Sequence, residues 1–319
     1  MKLSIAKDQL IAGLQAVQNV VSTRTTLPIL SNVHIRADES RLHLTATDLD
    51  VTVACAVEAQ VSDSGATTIP VKRLFSIVRE LPVGEVELDT DDKNLTKLSA
   101  GASYYKMNGL SAEEFPPLPK FKETGSVTLP QDKLRAMLKK TSIAISTDES
   151  RYVLNGVFMK FTPEKLVMVA TDGRRLALTE EELPAGSTAA GDIIVPTKAV
   201  NELNRLLQAS GEVEIRFTDN QVSFRLKDES AFSVLLISKL VEGNYPNYQQ
   251  VIPKEAKERI PLLREEFLGA RRRAELMTND KSNSVKLAFT KNNLTITANT
   301  ADVGEARESI AINYKGKDL

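Results

Sequence analysis

Apolar residues recur at helical spacing in four stretches of the chain. Over 7–21, Leu10, Ile11, Leu14, Val17 and Val21 share one face, and over 131–141 Leu134, Met137 and Leu138 do the same. Pro70 and Pro196 stand where a first helical turn tolerates proline, because the N–H it lacks has no intrahelical partner there. Leu74, Val78 and Leu81 then form the apolar face of a helix over 70–81, and Val200, Leu203 and Leu207 that of a helix over 196–208. Elsewhere the pattern alternates: Val33 and Ile35, Leu42 and Leu44, Val86 and Leu88, Val213 and Ile215. Alternation of this kind predicts antiparallel strands with one covered face. Helices laid against sheet in separate layers make an α+β fold.

The pattern repeats. LHLTATD at 42–48 returns as LVMVATD at 166–172 and, more loosely, as LTITANT at 294–300, offsets of 124 and 128 residues. SNV at 31–33, NGV at 155–157 and NSV at 283–285 keep those offsets. Ile69-Pro70-Val71-Lys72 returns as Val195-Pro196-Thr197-Lys198, and GEVEL at 84–88 as GEVEI at 211–215. Ordered matches at so long a period predict tandem globular domains, not a solenoid. Phe115-Pro116-Pro117-Leu118-Pro119 and Tyr245-Pro246, followed by Pro253, fall at matching points and read as extended linkers. The expected domains are 1–123, 124–251 and 252–319. Three repeats of about 125 residues need about 375, and the third counterpart of Lys72 and Lys198 falls near position 323. The third repeat is therefore expected to be only half present, as a fragment, a truncated product or a shortened variant.

Composition removes many functions. No apolar run approaches the roughly 20 residues that span a bilayer, and the N-terminus lacks the apolar core of a signal peptide. His34, His43 and Cys55 are the whole stock of histidine and cysteine, too few for a His-rich or Cys-rich metal site and for most nucleophile–histidine pairs. A lone cysteine makes no internal disulfide, which fits a cytoplasmic protein. No catalytic residue, metal or cofactor is expected.

Charge is sorted by element. Helix 131–141 holds Lys133, Arg135, Lys139 and Lys140 against Asp132, and helix 70–81 holds Lys72, Arg73 and Arg79 against Glu80. Helix 196–208 sets Lys198 and Arg205 against Glu202, and a helix over 264–277 sets Arg264, Arg271, Arg272 and Arg273 against Glu265, Glu266 and Glu275. With Lys7 and Asp8 in balance, the five helices carry +7 in a chain of net −1. Basic helices and acidic strands suit a protein that turns its helices toward a polyanion, since phosphate attraction needs only one basic surface.

Five motifs carry a resemblance: TLPILSNV at 26–33, TATDLD at 45–50, RYVLNGV at 151–157, VATDGRRLAL at 169–178 and SKLVEGNYPNY at 238–248. Along its whole length the chain resembles the bacterial sliding clamp family, the β subunit of DNA polymerase III. The resemblance implies three clamp-fold domains per subunit and a head-to-tail homodimer that closes as a ring. Helices then line the inside around double-stranded DNA, with antiparallel sheets outside. It implies a non-catalytic processivity factor whose partners are the DNA polymerase III α subunit, the clamp loader and other proteins with clamp-binding motifs. Arg24, Arg73 and Lys198 match positions that line or approach DNA; helix charge adds Lys72, Lys133, Arg135, Lys139 and Arg205. Asp148 stands where some relatives carry Gln, which weakens the case for a DNA contact there.

A peptide-binding groove between the second and third domains is implied at Arg151, Leu154, Thr171, Gly173, Arg174, Arg175, Leu176, Pro246 and Val251. Gln250 replaces a residue usually basic in relatives. The family completes this groove with its C-terminal segment, so weakened peptide binding is expected. Ring closure is implied through Tyr105 and Met107 on the first domain and Leu276 and Met277 on the third. Two other readings stand beside this one. A clamp-like scaffold could bind partners without being loaded, or Asp48, Asp50 and Asp172 could gather a divalent metal for nuclease chemistry.

Overall fold

The structure is a computed structural model and describes residues 1–21, 27–119, 121, 125–184, 187–228, 232–256, 258–279 and 283–319. Five α-helices lie among these residues: α1 Lys7–Val17, α2 Val71–Glu80, α3 Gln131–Thr141, α4 Thr197–Leu206 and α5 Arg264–Glu275. Helix 131–141 ends as expected, while the other expected helical ends run a few residues long for local reasons. Chain direction changes after Val17, where Gln18 N–H still reaches the Leu14 carbonyl, and Pro82 keeps Leu81 extended. Val21, Leu81 and Leu207 lie just outside their helices yet remain buried, so the apolar spacing marked core positions correctly.

A strand runs directly into each of the first four helices: Lys2–Ala6, Gly65–Pro70, Ser126–Pro130 and Gly191–Pro196. Pro70, Pro130 and Pro196 are the cap residues before α2, α3 and α4, one position earlier than a first-turn proline. All three end edge strands, where a missing N–H breaks no ladder. At least three strands follow each helix. The helix starts are 60–67 residues apart, so the structural unit is about half the period visible in the sequence.

The chain divides into two compact units, residues 1–245 and 246–319. In the first, an eight-stranded antiparallel sheet has the order Ser126–Pro130, Glu212–Phe217, Gln221–Lys227, Ser233–Lys239, Val51–Glu58, Arg41–Thr47, Asn32–Asp38, Gly65–Pro70. Its centre joins the first two repeats: Val234 pairs with Cys55, Leu236 with Val53 and Ser238 with Val51. That pairing is why the junction expected near 123 does not separate compact bodies. A five-stranded sheet and a four-stranded sheet complete the unit. Leu10, Leu14, Leu74, Leu134, Leu203 and Phe224 lie fully buried in one continuous core. In the second unit, α5 sets Ala270 and Ala274 against Leu294, Ile296 and Ile310 of a three-stranded sheet and against Tyr314 of the segment that follows it.

Candidate nucleic-acid, peptide and self-association surfaces

Within residues 1–245, α1 packs on α2 and α3 on α4. Arg205 links the two pairs. From α4 its guanidinium donates to the carbonyls of Gln15 (2.8 Å) and Ala16 (2.7 Å), in the last turn of α1, while Glu202 accepts from it at 2.7 Å. Those carbonyls are among the acceptors a helix leaves unpaired at its C-terminal end, where a cation is also favoured. Arg205 is thus a tie between helices, a correction to its expected place as a phosphate-facing cation. Arg205→Ala should lower the stability of unit 1 by about 1–3 kcal/mol, read as a lower urea midpoint. An unchanged midpoint would show that solvent replaces these bonds at no cost.

The other expected DNA contacts fall into two groups. Lys72, Arg73 and Lys139, with Lys140 beside it, are exposed and have no side-chain partner among the described residues. Lys133 instead pairs with Glu181 at 2.8 Å, which raises its pKa. Arg135 is half-buried with Nε enclosed. Lys198 pairs with Asp48, and nearby Lys239 pairs with Asp50 at 3.0 Å, both across the junction between repeats one and two. Arg24 lies outside the described residues.

The same contacts bear on a metal site. Asp48 also accepts from the N–H of Val51 (2.8 Å) and Asp50 (3.2 Å), and Asp172 from the N–H groups of Arg174 and Arg175, each at 3.0 Å. These turn hydrogen bonds hold the Asp172 carboxyl below its ordinary pKa. All three carboxylates of the nuclease reading are held by lysine, arginine or backbone donors, and none of them is turned toward a shared centre by these bonds.

Two turns build the residues of unit 1 expected to line a peptide groove. Asp148 caps the 3₁₀ segment Glu149–Leu154, accepting from Ser150 N–H at 3.0 Å and from Arg151 Nε at 2.9 Å. Arg151 Nη1 then donates to the Asp172 carbonyl at 3.0 Å, joining this segment to the turn 171–175. That turn is closed by Thr171 Oγ1, which donates to the Arg175 carbonyl and accepts from Gly173 N–H. Gly173 has φ +83°, which favours glycine, and a Cβ there would meet Arg151 Nη1 at 2.7 Å and push the end of that side chain aside. Arg174 and Arg175 are exposed, Leu176 is half-buried and Leu154 is buried. Asp148 is the residue the sequence reading undervalued: its position two residues before Ser150 is an Asx-cap signal. Tyr152, 58% exposed, was also missed. On the second unit, Pro246 and Val251 are exposed.

Of the expected self-association residues, Tyr105 is exposed on Ser103–Asn108, an edge strand of the five-stranded sheet. Met107 is a correction: two residues on from Tyr105 and on the same strand face, it is nevertheless buried, while Tyr104 on the other face is open to solvent. In unit 2, Leu276 stands out at 77% exposed. Met277 follows α5, its N–H donating to the Ala274 carbonyl and its carbonyl accepting from Thr300 Oγ1.

Comparison with known proteins matches the DNA polymerase III beta subunit throughout: its N-terminal domain over residues 1–119, its central domain over 128–247 and its C-terminal domain over 249–319. The beta sliding clamp of Chlamydia muridarum is 35% identical across 100% of this chain and 86% of its own length. That of Bacillus subtilis is 34% identical with the same coverage. Among solved structures, a sliding clamp from Bartonella birtlesii superposes with a TM-score of 0.94 at 35% identity, over 100% of this chain and 86% of its own. All three domain models match and the solved relatives align over the whole chain, so the expectation of a half-present third repeat is not supported. The chain belongs to the bacterial beta sliding clamps, the DNA polymerase III beta-subunit family.

Proposed function

We propose that the protein is the processivity clamp of DNA replication, a non-catalytic subunit that closes head to tail with a second copy around double-stranded DNA. It tethers DNA polymerase III through its α subunit, and the clamp loader and other motif-bearing proteins use the same surface. The observation that carries this reading is the eight-stranded sheet, which crosses from the first repeat to the second through Val51–Glu58 and Ser233–Lys239 with no break in the ladder. A sheet that continues across one module boundary can do so across the next. Ser103–Asn108 offers an open edge in unit 1, and Lys286–Thr290 and Gly304–Ala311 offer edges in unit 2. In this reading the domains are 1–123, 124–251 and 252–319.

The mechanism is one of linkage. A closed ring leaves an uninterrupted duplex only by opening, so contacts with DNA stay weak, directed at phosphate and interchangeable. Lys72, Arg73 and Lys139 suit that role because no described residue pairs with their side chains; Arg24 is assigned to it from the family match alone. Replacing Lys72, Arg73 and Lys139 together by alanine should flatten the slope of log affinity for duplex DNA against log salt by about 2–3, with the circular dichroism spectrum unchanged. An unaltered slope would remove these residues from the interface.

Arg151, Leu154, Thr171, Gly173, Arg174, Arg175, Leu176, Pro246 and Val251 receive the partner peptides, their apolar members taking the anchors. The site of action is the cytoplasm, where a buried, unpaired Cys55 is stable. Primer extension on a circular single-stranded template with polymerase III and clamp loader tests the reading. Adding the protein should lengthen the products made in a single binding event; products of the same length with and without it would refute the assignment.

A further inference from the structure

The strand side of unit 1 contains one exception to the sorting of charge. A cavity of about 530 Å³ lies on the eight-stranded sheet, lined by His34, Arg36, His43 and Arg225 and by no carboxylate. Its volume is in the range of small-molecule sites. Side chains alternate across a strand, and Val33, Ile35, Leu42, Leu44 and Leu236 fill the core, so His34, Arg36, His43 and Leu235 point to the opposite face. The cavity therefore lies on the face of the sheet turned away from the helices. Neither the basic helix residues nor the peptide-facing turns take part in it.

Three further features shape it. First, it straddles the junction between repeats: Ala54 and Leu235, partners in the central ladder, both line it. Second, the segment Ala112–Leu118 forms a wall. Phe115 is 8% exposed, packs with Ile29 and Leu30, and lies 5.2 Å from the His34 ring, centroid to centroid. Third, the cations are unevenly satisfied. Asp38 forms an ion pair with Arg36 at 3.1 Å and contacts His43 at 2.8 Å. Glu214, by contrast, is held closely by Arg216, with Nε at 2.9 Å, and reaches Arg225 only at 3.9 Å. Arg225 makes no hydrogen bond through its guanidinium among the described residues. Burial and the neighbouring Arg36 lower the His34 pKa, and Arg36 and Arg225 bring fixed positive charge to the cavity.

We propose that this cavity is a binding site for a small organic anion with a flat apolar body, its anionic group taken by Arg225 and its body lying against Phe115, Leu118 and Leu235. A guanidinium fork pairs with carboxylate or phosphate in two parallel hydrogen bonds, which a lysine cannot match. The apolar wall supplies the remaining contact, and a ligand there bridges both repeats at their joint. The site is independent of clamp function, so the two can fail separately.

The test uses the full chain and 2-naphthoate as the probe, titrated by calorimetry at physiological salt. Saturable binding with a dissociation constant below about 1 mM is expected. The uncharged analogue 2-naphthylmethanol should bind about tenfold more weakly, and Arg225→Gln should weaken naphthoate to a similar degree while leaving the alcohol unaffected. Phe115→Ala should weaken both. Arg225 is 46% exposed on a strand, so its replacement does not threaten folding, which the urea midpoint verifies. Absence of saturable binding overturns the proposal; so does equal binding of acid and alcohol, or an Arg225→Gln protein that binds naphthoate as the parent does.

Discussion

Leu276→Lys converts the protein from dimer to monomer at micromolar concentration. Leu276 is 77% exposed directly after α5, so lysine there costs the isolated chain nothing in packing. A cation at a helix C-terminus is favoured by the helix dipole, which makes lysine the cleaner choice over glutamate. At the proposed head-to-tail interface the same position would be covered by the partner, and an unpaired charge would then be enclosed. Enclosure without a counter-charge costs about 3–5 kcal/mol per interface, more than a hundredfold in the dimer dissociation constant. A head-to-tail ring has two such interfaces, so the effect counts twice. Sedimentation velocity reads the outcome directly: a variant that sediments as the parent dimer removes Leu276 from the interface.

Leu236→Ala is the second large effect, and it acts on the joint between repeats. Leu236 is fully buried and pairs with Val53 across the ladder that unites the two halves of the eight-stranded sheet. Truncation removes three methyl or methylene-sized groups and leaves a cavity that neighbours on rigid strands cannot close, a loss of about 2–5 kcal/mol. Chemical denaturation followed by circular dichroism should show the midpoint falling accordingly. Because residues 1–245 share one core, the loss should appear in one cooperative transition. Two separated transitions in the parent protein would show that the repeats fold independently and that the joint is weaker than its buried ladder implies.

Periodicity alone specifies much of this architecture. Leu10, Leu14, Val17, Leu74, Val78, Leu134 and Leu203 all occupy the core their spacing assigned them, because helix burial depends on local side-chain direction that a sequence displays. The halved repeat was hidden for the opposite reason. A structural unit of 60–67 residues recurs through backbone geometry, whereas the residues that match in letters recur only at twice that distance. The candidate sites divided along the same line. Lys72, Arg73 and Lys139 stand exposed as their helix positions implied. Lys198 and Arg205 meet Asp48, Gln15 and Ala16, residues 150 or more positions away, and nothing local announces partners at that distance. Met107 shows a third case: it alternates with exposed neighbours, and only the sheet order shows which face is covered. Asp148 and Gly173 were legible as a cap and a turn glycine, and their joint dependence on Arg151 emerges only when both turns are in place.

Linkage without grip is the claim that everything else serves, and its most direct test is release from DNA of controlled topology. The protein is loaded onto nicked circular plasmid by a clamp loader, freed of unbound material by gel filtration in high salt, and divided in two. One half is left intact and the other is cut once with a restriction enzyme. The account predicts that the protein stays with the intact circle and leaves the cut plasmid by sliding off its ends. Equal retention on both would mean that contact, not enclosure, holds it, and equal loss from both would mean that no closed ring had formed.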